Sequence, residues 1–173
     1  GIIKIYQDMV TDLKQTYSKG LSICLAGSHG TGKTMVVVNI LKRAVEKGYT
    51  CLYVTLNDIV AVMTKAPNDI QFQGRKEFLT VDFLVIDEFD PRFMPTDNAS
   101  ALFGRILEDI FRGRTQSALP TLMCTNSPNV LESFPKDSPL RISIDSLMSN
   151  VKTIPVFGED YRKKSKKDKG LNE

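Results

Sequence analysis

The chain has 173 residues, 42% of them hydrophobic and 25% charged with both signs present, which fits one compact domain and excludes a collagen-like or wholly disordered polypeptide. No apolar run approaches the ~20 residues that cross a bilayer, and no charged-then-apolar signal segment opens the chain. The net charge of +3 is uneven: six of the 23 bases but only two of the 20 acids lie in Tyr161–Glu173, so the body is near neutral and the tail is basic. That tail, 161–173, is expected to be a disordered appendage able to touch nucleic-acid phosphates. Cys24, Cys51 and Cys124 each sit in an apolar run, without CxxC spacing and with His29 as the single histidine. A disulfide framework and a Cys/His zinc site are both disfavoured, and a reducing, cytoplasmic setting is expected. The chain opens with Gly1 and not Met, which leaves room for an upstream domain.

In chain order, apolar residues at Ile2, Tyr6, Met9, Leu13 and Tyr17 recur at helical spacing and predict an N-terminal helix within 1–20, ended by Gly20. Leu21–Ala26 is a continuous apolar run, the signature of a strand buried on both faces. Lys33–Lys47 carries an apolar helical face stopped by Gly48. Thr50–Leu56 predicts a second strand, with Asn57 capping a helix over Asp58–Ala66 that Pro67 closes. Asn68–Gly74 is polar and predicts a loop, followed by a short amphipathic piece through Leu79. Val81–Asp87 is a third strand; Pro91 and Pro95 break the chain, and Asp97–Arg114 is helical. Thr121–Thr125 is a fourth strand, Asn129–Phe134 and Ser138–Ser149 are small helices, and Val151–Phe157 is a closing strand. This alternation predicts a parallel five-stranded sheet with helices on both faces, filling 21–160.

Gly27-Ser28-His29-Gly30-Thr31-Gly32-Lys33-Thr34 fits G-x-x-x-x-G-K-[ST] between a predicted strand and a predicted helix, the context the phosphate-binding loop requires. Its backbone N–H groups would surround phosphate oxygens of ATP or ADP, with Lys33 reaching the β- and γ-phosphates and the Thr34 hydroxyl on Mg²⁺. Phe83–Glu88 is an apolar strand ending in two carboxylates: Asp87 for Mg²⁺, Glu88 to orient and deprotonate the attacking water. Asp90, beside Pro91, is a weaker candidate. Thr121–Asn126 ends a strand in an amide that could hydrogen-bond the γ-phosphate and the water. His29 is a variable loop position and takes no catalytic role.

Together these motifs, with Pro120, the Thr125-Asn126 pair and Gly158–Arg162, resemble AAA+ ATPases of the DnaC/DnaI helicase-loader group, with IstB-type transposition helper ATPases nearly as close. The resemblance covers Leu21 to about Arg162. It implies an α/β P-loop NTPase of the AAA+ type, hydrolysing ATP with Mg²⁺. It implies partners in a replicative helicase, single-stranded DNA and further copies of the chain, and it implies no membrane. It also implies an arginine supplied to a neighbouring subunit's nucleotide. Arg141 is the only arginine between Asn126 and the closing strand, whereas the family's arginine behind Ile-x-Asp is replaced by Ser146, after Ile144-Asp145. Arg105, Arg112 and Arg114 are the alternatives. Too few residues follow Arg162 for the helical lid that many AAA+ proteins carry. Lys65, Arg75, Lys76 and the tail are candidate phosphate contacts. The rival readings are a transposition helper, a non-hydrolysing ATP-dependent scaffold and, further off, a small phosphotransferase.

Overall fold

The computed structural model describes residues 2–94, 99–134, 136, 137, 139–158 and 160. The basic tail, with Arg162, and Pro95 lie outside the described residues. Helices α1 (Ile2–Thr11) and α2 (Leu13–Ser18) precede β1 (Ile23–Ala26), α3 (Lys33–Glu46), β2 (Cys51–Thr55), α4 (Leu56–Lys65), α5 (Asn68–Thr80) and β3 (Phe83–Asp87). A short 3₁₀ turn at Pro91–Phe93 leads to α6 (Ala99–Gln116), β4 (Thr121–Thr125), a second 3₁₀ turn at Leu131–Ser133, α7 (Pro139–Met148) and β5 (Lys152–Pro155). All pairings are parallel and the sheet order is β2-β3-β4-β1-β5.

Strand alternation divides the core into two layers. Ile23 and Leu25 of β1, Phe83 and Val85 of β3, and Leu122 and Cys124 of β4 face α1 and α3, meeting Met9, Val36, Val37, Ile40 and Ala44. Cys24, Leu84, Ile86 and Met123 face the opposite side, where Leu56, Ile59, Phe78, Phe103, Leu107, Ile110 and Ile144 cover them. Every residue of β1, β3 and β4 is buried, as their continuous apolar runs predict. Among the described residues no helix is long and apolar enough to cross a membrane.

Three local features depart from the sequence reading. The N-terminal segment is two helices, because the Asp12 carboxylate accepts from the Gln15 amide and starts α2 afresh. The cap of α4 is Thr55, not Asn57: its hydroxyl accepts from the Asp58 amide while the Asp58 carboxylate accepts from the Thr55 amide, a complete capping box. Asn68–Gly74 is the first half of α5 and not a loop. Pro67 supplies a fixed φ at its entry, and Phe78 anchors the helix to the core despite its polar composition.

At the end of the sheet where the strands begin, Arg114 is 1% exposed. Its guanidinium donates to the carbonyls of Phe78 and Val81 at 2.9 and 2.8 Å, to Pro120 O at 2.6 Å, to Asp82 O at 3.4 Å and to Thr121 Oγ1 at 2.9 Å. Burial pulls its pKa down to about 10, so the cation survives at neutral pH because these oxygens replace its water. Arg114 thereby ties the ends of α5 and α6 to the starts of β3 and β4. Replacing it, Arg114→Met, should cost about 3 kcal/mol or more in urea unfolding, since several buried carbonyls lose their donor. Arg112→Met, which removes an exposed pair with Glu108, should change stability by under about 1 kcal/mol in the same assay.

Candidate nucleotide-binding site

The sheet order places β1 beside β4 and β4 beside β3, so the residues that follow these three strands converge at one edge. Gly27 continues β1, and its amide donates to Thr125 O at 3.2 Å, fastening the start of the loop to β4. Gly27 also lies against the chain after β5: a Cβ there would come 2.1 Å from Val156 O. Gly30 has φ +76°, and a Cβ there would meet the Asp160 carboxylate at 1.8 Å. Both positions therefore demand glycine, one for close backbone approach and one for conformation as well. The loop returns through Gly32 into the first turn of α3, whose positive end points back at the enclosed space.

Lys33 is buried, and its ammonium donates to Gly27 O at 2.8 Å, Ser28 O at 2.7 Å and Thr31 Oγ1 at 3.4 Å. The Thr31 hydroxyl in turn donates to Ser28 O at 2.9 Å, which cross-braces the loop. Asp87 ends β3 on the same face as Val85, the face α3 covers, so Thr34 at the start of α3 meets it directly. The Thr34 hydroxyl donates to Asp87 Oδ2 at 2.7 Å. Asp87 Oδ1 accepts from the Glu88 amide at 2.7 Å, and Tyr53 of β2 donates its hydroxyl to Asp87 Oδ2 at 2.8 Å.

Glu88 itself has φ +51°, an uncommon conformation for a side chain of this kind. The turn is imposed by its neighbours: Asp87 is fixed from three directions, while Phe89 is fully buried and donates its amide to Cys124 O at 2.8 Å. Glu88 has to bridge two pinned residues, and its exposed carboxylate faces the cleft. The cleft is about 500 Å³ and is lined by His29, Lys33, Thr34, Asp87, Glu88 and Asn126, among others.

The structure thus brings together in one cleft Gly30, Gly32, Lys33, Thr34, Asp87, Glu88 and Asn126, while Gly27, Ser28 and Thr31 form the loop wall behind Lys33. Asp90 is engaged elsewhere: Arg92 donates to it from its amide and from Nε and Nη2 of its guanidinium, and these bonds hold the carboxyl below its usual range. Arg141 does not line the cleft. It sits in the first turn of α7 and donates to Phe134 O at 2.9 Å. Because β4 and β5 are parallel, α7 must begin at the cleft end of the sheet and finish at the other. Ser146 lies towards that other end, with Glu108 Oε1 at 3.5 Å and Arg112 beside the same small cavity. Arg112 and Arg114 are therefore remote from the nucleotide end.

Tyr53 is the site residue that the sequence reading missed. Its ring is an ordinary edge-strand aromatic by composition, and only the register Thr55↔Asp87, which is not written in local sequence, reveals that Tyr53 and Asp87 share a face. Burial and then the Asp87 hydrogen bond raise its pKa, so the hydroxyl keeps its proton and donates a hydrogen bond to Asp87. The thiols are not candidates for chemistry: burial pushes Cys24 up to about 12 and Cys51 to about 11, and raises Cys124 further.

The donor set suits a magnesium nucleotide. Thr34 Oγ1 and the Asp87 carboxylate are hard oxygen ligands held side by side, too few to keep Mg²⁺ alone and so dependent on phosphate and water oxygens for the rest.

Comparison with known proteins agrees with this geometry. Residues 7–169 match the family model described as IstB-like ATP binding protein. An insertion sequence IS21 ATP-binding protein of Pseudomonas aeruginosa is 26% identical over 153 residues, covering 87% of this chain and 56% of that protein, so the chain spans about half the length of this relative. Among solved structures, DnaI superposes with a TM-score of 0.69 at 16% identity, covering 91% of this chain and 81% of DnaI. The replication initiator DnaA bound to AMPPCP and single-stranded DNA superposes at 0.68 and 18% identity, covering 95% and 51%. At these identities the structural matches establish the fold alone, a parallel five-stranded α/β core of the kind seen in DnaI and DnaA.

The wall behind the phosphate cradle generates a direct test. Gly27→Ala should lower the melting temperature by about 4–8 °C, the shift expected of a loss near 2 kcal/mol in a domain this size, because Val156 has to move. Binding of a fluorescent ADP analogue should fall with it.

Proposed function

The chain belongs to the IstB-like ATP-binding protein family, and we propose that its cleft hydrolyses Mg²⁺–ATP as a switch controlling assembly of the protein on DNA. The observation that carries this reading is the meeting of the loop lysine, the Thr34–Asp87 pair, Glu88 and Asn126 in one cleft. A site that only bound nucleotide would need the loop. It would not need a free carboxylate held in a strained turn beside the phosphate end.

In this mechanism the loop amides and the start of α3 cradle the phosphates, and the Lys33 ammonium turns from the loop carbonyls towards the β- and γ-oxygens. Bound Mg²⁺ would be held by the Thr34 oxygen, with Asp87 next to it, and would offset charge on the phosphate oxygens. Glu88 orients a water in line with the γ-phosphate and accepts its proton. Asn126 donates to the γ-phosphate or to that water, so the end of β4 senses whether the phosphate is present. In this reading Arg141, which lies in the first turn of α7 and outside this cleft, serves the nucleotide of an adjacent copy. Nucleotide state then alters the contact between copies, since γ-phosphate contacts exist only before hydrolysis.

For the biological use, the family and the IS21 relative favour a helper ATPase acting with a transposase on DNA. Loading of a replicative helicase on single-stranded DNA is the second reading, favoured by the DnaC/DnaI-like motif order and the fold shared with DnaI. Both uses need the same ATP-dependent assembly.

Glu88→Gln should keep nucleotide affinity within about twofold while turnover falls about 10²-fold or more. Unchanged turnover would remove Glu88 as the base. In wild type, turnover per molecule should rise with protein concentration together with light-scattering mass, and Arg141→Ala should flatten that rise. Flat specific activity from a monomer at every concentration would refute the shared site.

A further inference from the structure

Tyr53 has no place in the loop, the carboxylate pair or the sensing amide, yet its hydroxyl reaches the metal-side carboxylate. From this contact we infer that Tyr53 is a positioning residue that fixes which oxygen of Asp87 is presented to the cation of a bound magnesium nucleotide. The inference rests on the magnesium-nucleotide reading of the cleft given above.

The geometry begins with register. Tyr53 pairs with Val85 and Thr55 with Asp87, so Tyr53 lies diagonally behind Asp87 on the same face of the sheet. A tyrosine leaning along its strand spans that step with its para oxygen, which lies 2.8 Å from Asp87 Oδ2. The ring is not there to fill the core. Tyr53 is 41% exposed on the edge strand β2, whereas its neighbours on β3 are fully buried.

Counting lone pairs gives the consequence. Asp87 Oδ2 accepts from Thr34 and from Tyr53, which uses both of its in-plane positions. Oδ1 accepts one hydrogen bond, from the Glu88 amide; the Cys124 thiol, a weak donor, also interacts with the carboxylate but does not fill a position as Thr34 and Tyr53 do. A threonine hydroxyl on a cation coordinates through a lone pair and retains its proton, so Thr34 can go on donating to Oδ2. With Tyr53 in place, Oδ1 is therefore the oxygen left to face the cation or a water bound to it. Without the phenol, Oδ2 regains a free position and the carboxylate can rotate about the end of β3. The nucleotide's contacts with the loop amides and Lys33 do not pass through Asp87, so they should not register the loss.

The test is Tyr53→Phe, which removes one oxygen from a partly exposed side chain and keeps the ring. Affinity for a fluorescent ADP analogue is measured in millimolar Mg²⁺ and in EDTA, with the midpoint of a Mg²⁺ titration at fixed nucleotide as a second readout. Wild type should bind more tightly with Mg²⁺. In Tyr53→Phe that Mg²⁺-dependent gain should shrink about 3- to 10-fold, the range for loss of one ordinary hydrogen bond, with the EDTA affinity unchanged. The Mg²⁺ midpoint should rise correspondingly. Equal losses in both buffers would make Tyr53 a generic structural residue and overturn the inference; unchanged values in both would overturn it as well. A wild type that binds equally in the two buffers would remove the cation from the site and the inference with it, leaving nucleotide binding intact. A wild type that binds in neither would overturn the proposed function itself.

Discussion

The register of β3 is the constraint on which the site depends. Asp87 closes a strand whose alternate residues face two different cores, and its partner Thr34 opens a helix on one side only. A slip of one residue would bury Asp87 under α4 and α6 and point Ile86 at the phosphate loop. Phe83 and Val85 packed against α3, with Leu84 and Ile86 packed the other way, make such a slip prohibitive. The hydrophobic pattern of four consecutive residues thus sets the position of a carboxylate to within a hydrogen bond. The same alternation in β4 directs Cys124 towards α3 and delivers Asn126 to the cleft one residue beyond the strand.

Much of this was readable in the sequence because the relevant signals are local. The three central strands are uninterrupted apolar runs, the loop is a spaced motif, and the Asp87-Glu88 pair sits where a strand must end. Other features escaped because their causes are tertiary. The polar stretch from Asn68 to Gly74 has weak amphipathicity, and it is helical because Pro67 starts it and Phe78 anchors it several residues later. Thr55 displaced Asn57 as a cap because strand and helix are joined with no intervening residue, so the last residue of β2 does both jobs. Arg114 looked like one of several basic residues at a helix end. Its burial depends on carbonyls contributed by three other segments, none visible from the helix alone.

The arginines show how topology separates residues that sequence leaves equivalent. Arg105, Arg112, Arg114 and Arg141 all lie on the helices before and after β4. Parallel strands force α6 and α7 to run back from the cleft end to the opposite end. Arg112 and Arg114, late in α6, are carried to the end opposite the cleft, whereas Arg141, early in α7, stays at the cleft's end of the sheet although it does not line the cleft. Ser146 is carried towards the same end as Arg112, with which it lines one small cavity.

The two ends of the sheet are built on opposite physical terms. Where the strands begin, the Arg114 guanidinium satisfies buried oxygens, and the part-buried Asp82 carboxylate, which accepts from Thr50 and Tyr17, locks further elements together. Where the strands end, Gly30, Gly32 and Glu88 adopt left-handed backbone, and hydroxyl and carboxylate groups pair with one another in a cleft open to solvent. Backbone strain of about 1–3 kcal/mol at a residue such as Glu88 persists only where its surroundings over-determine it. Here they do so through Asp87 and Phe89, both fixed by the strands that the far end secures. Rigidity at one edge is what allows the other to hold a carboxylate in a costly conformation and to exchange hydrogen-bond partners when a nucleotide enters.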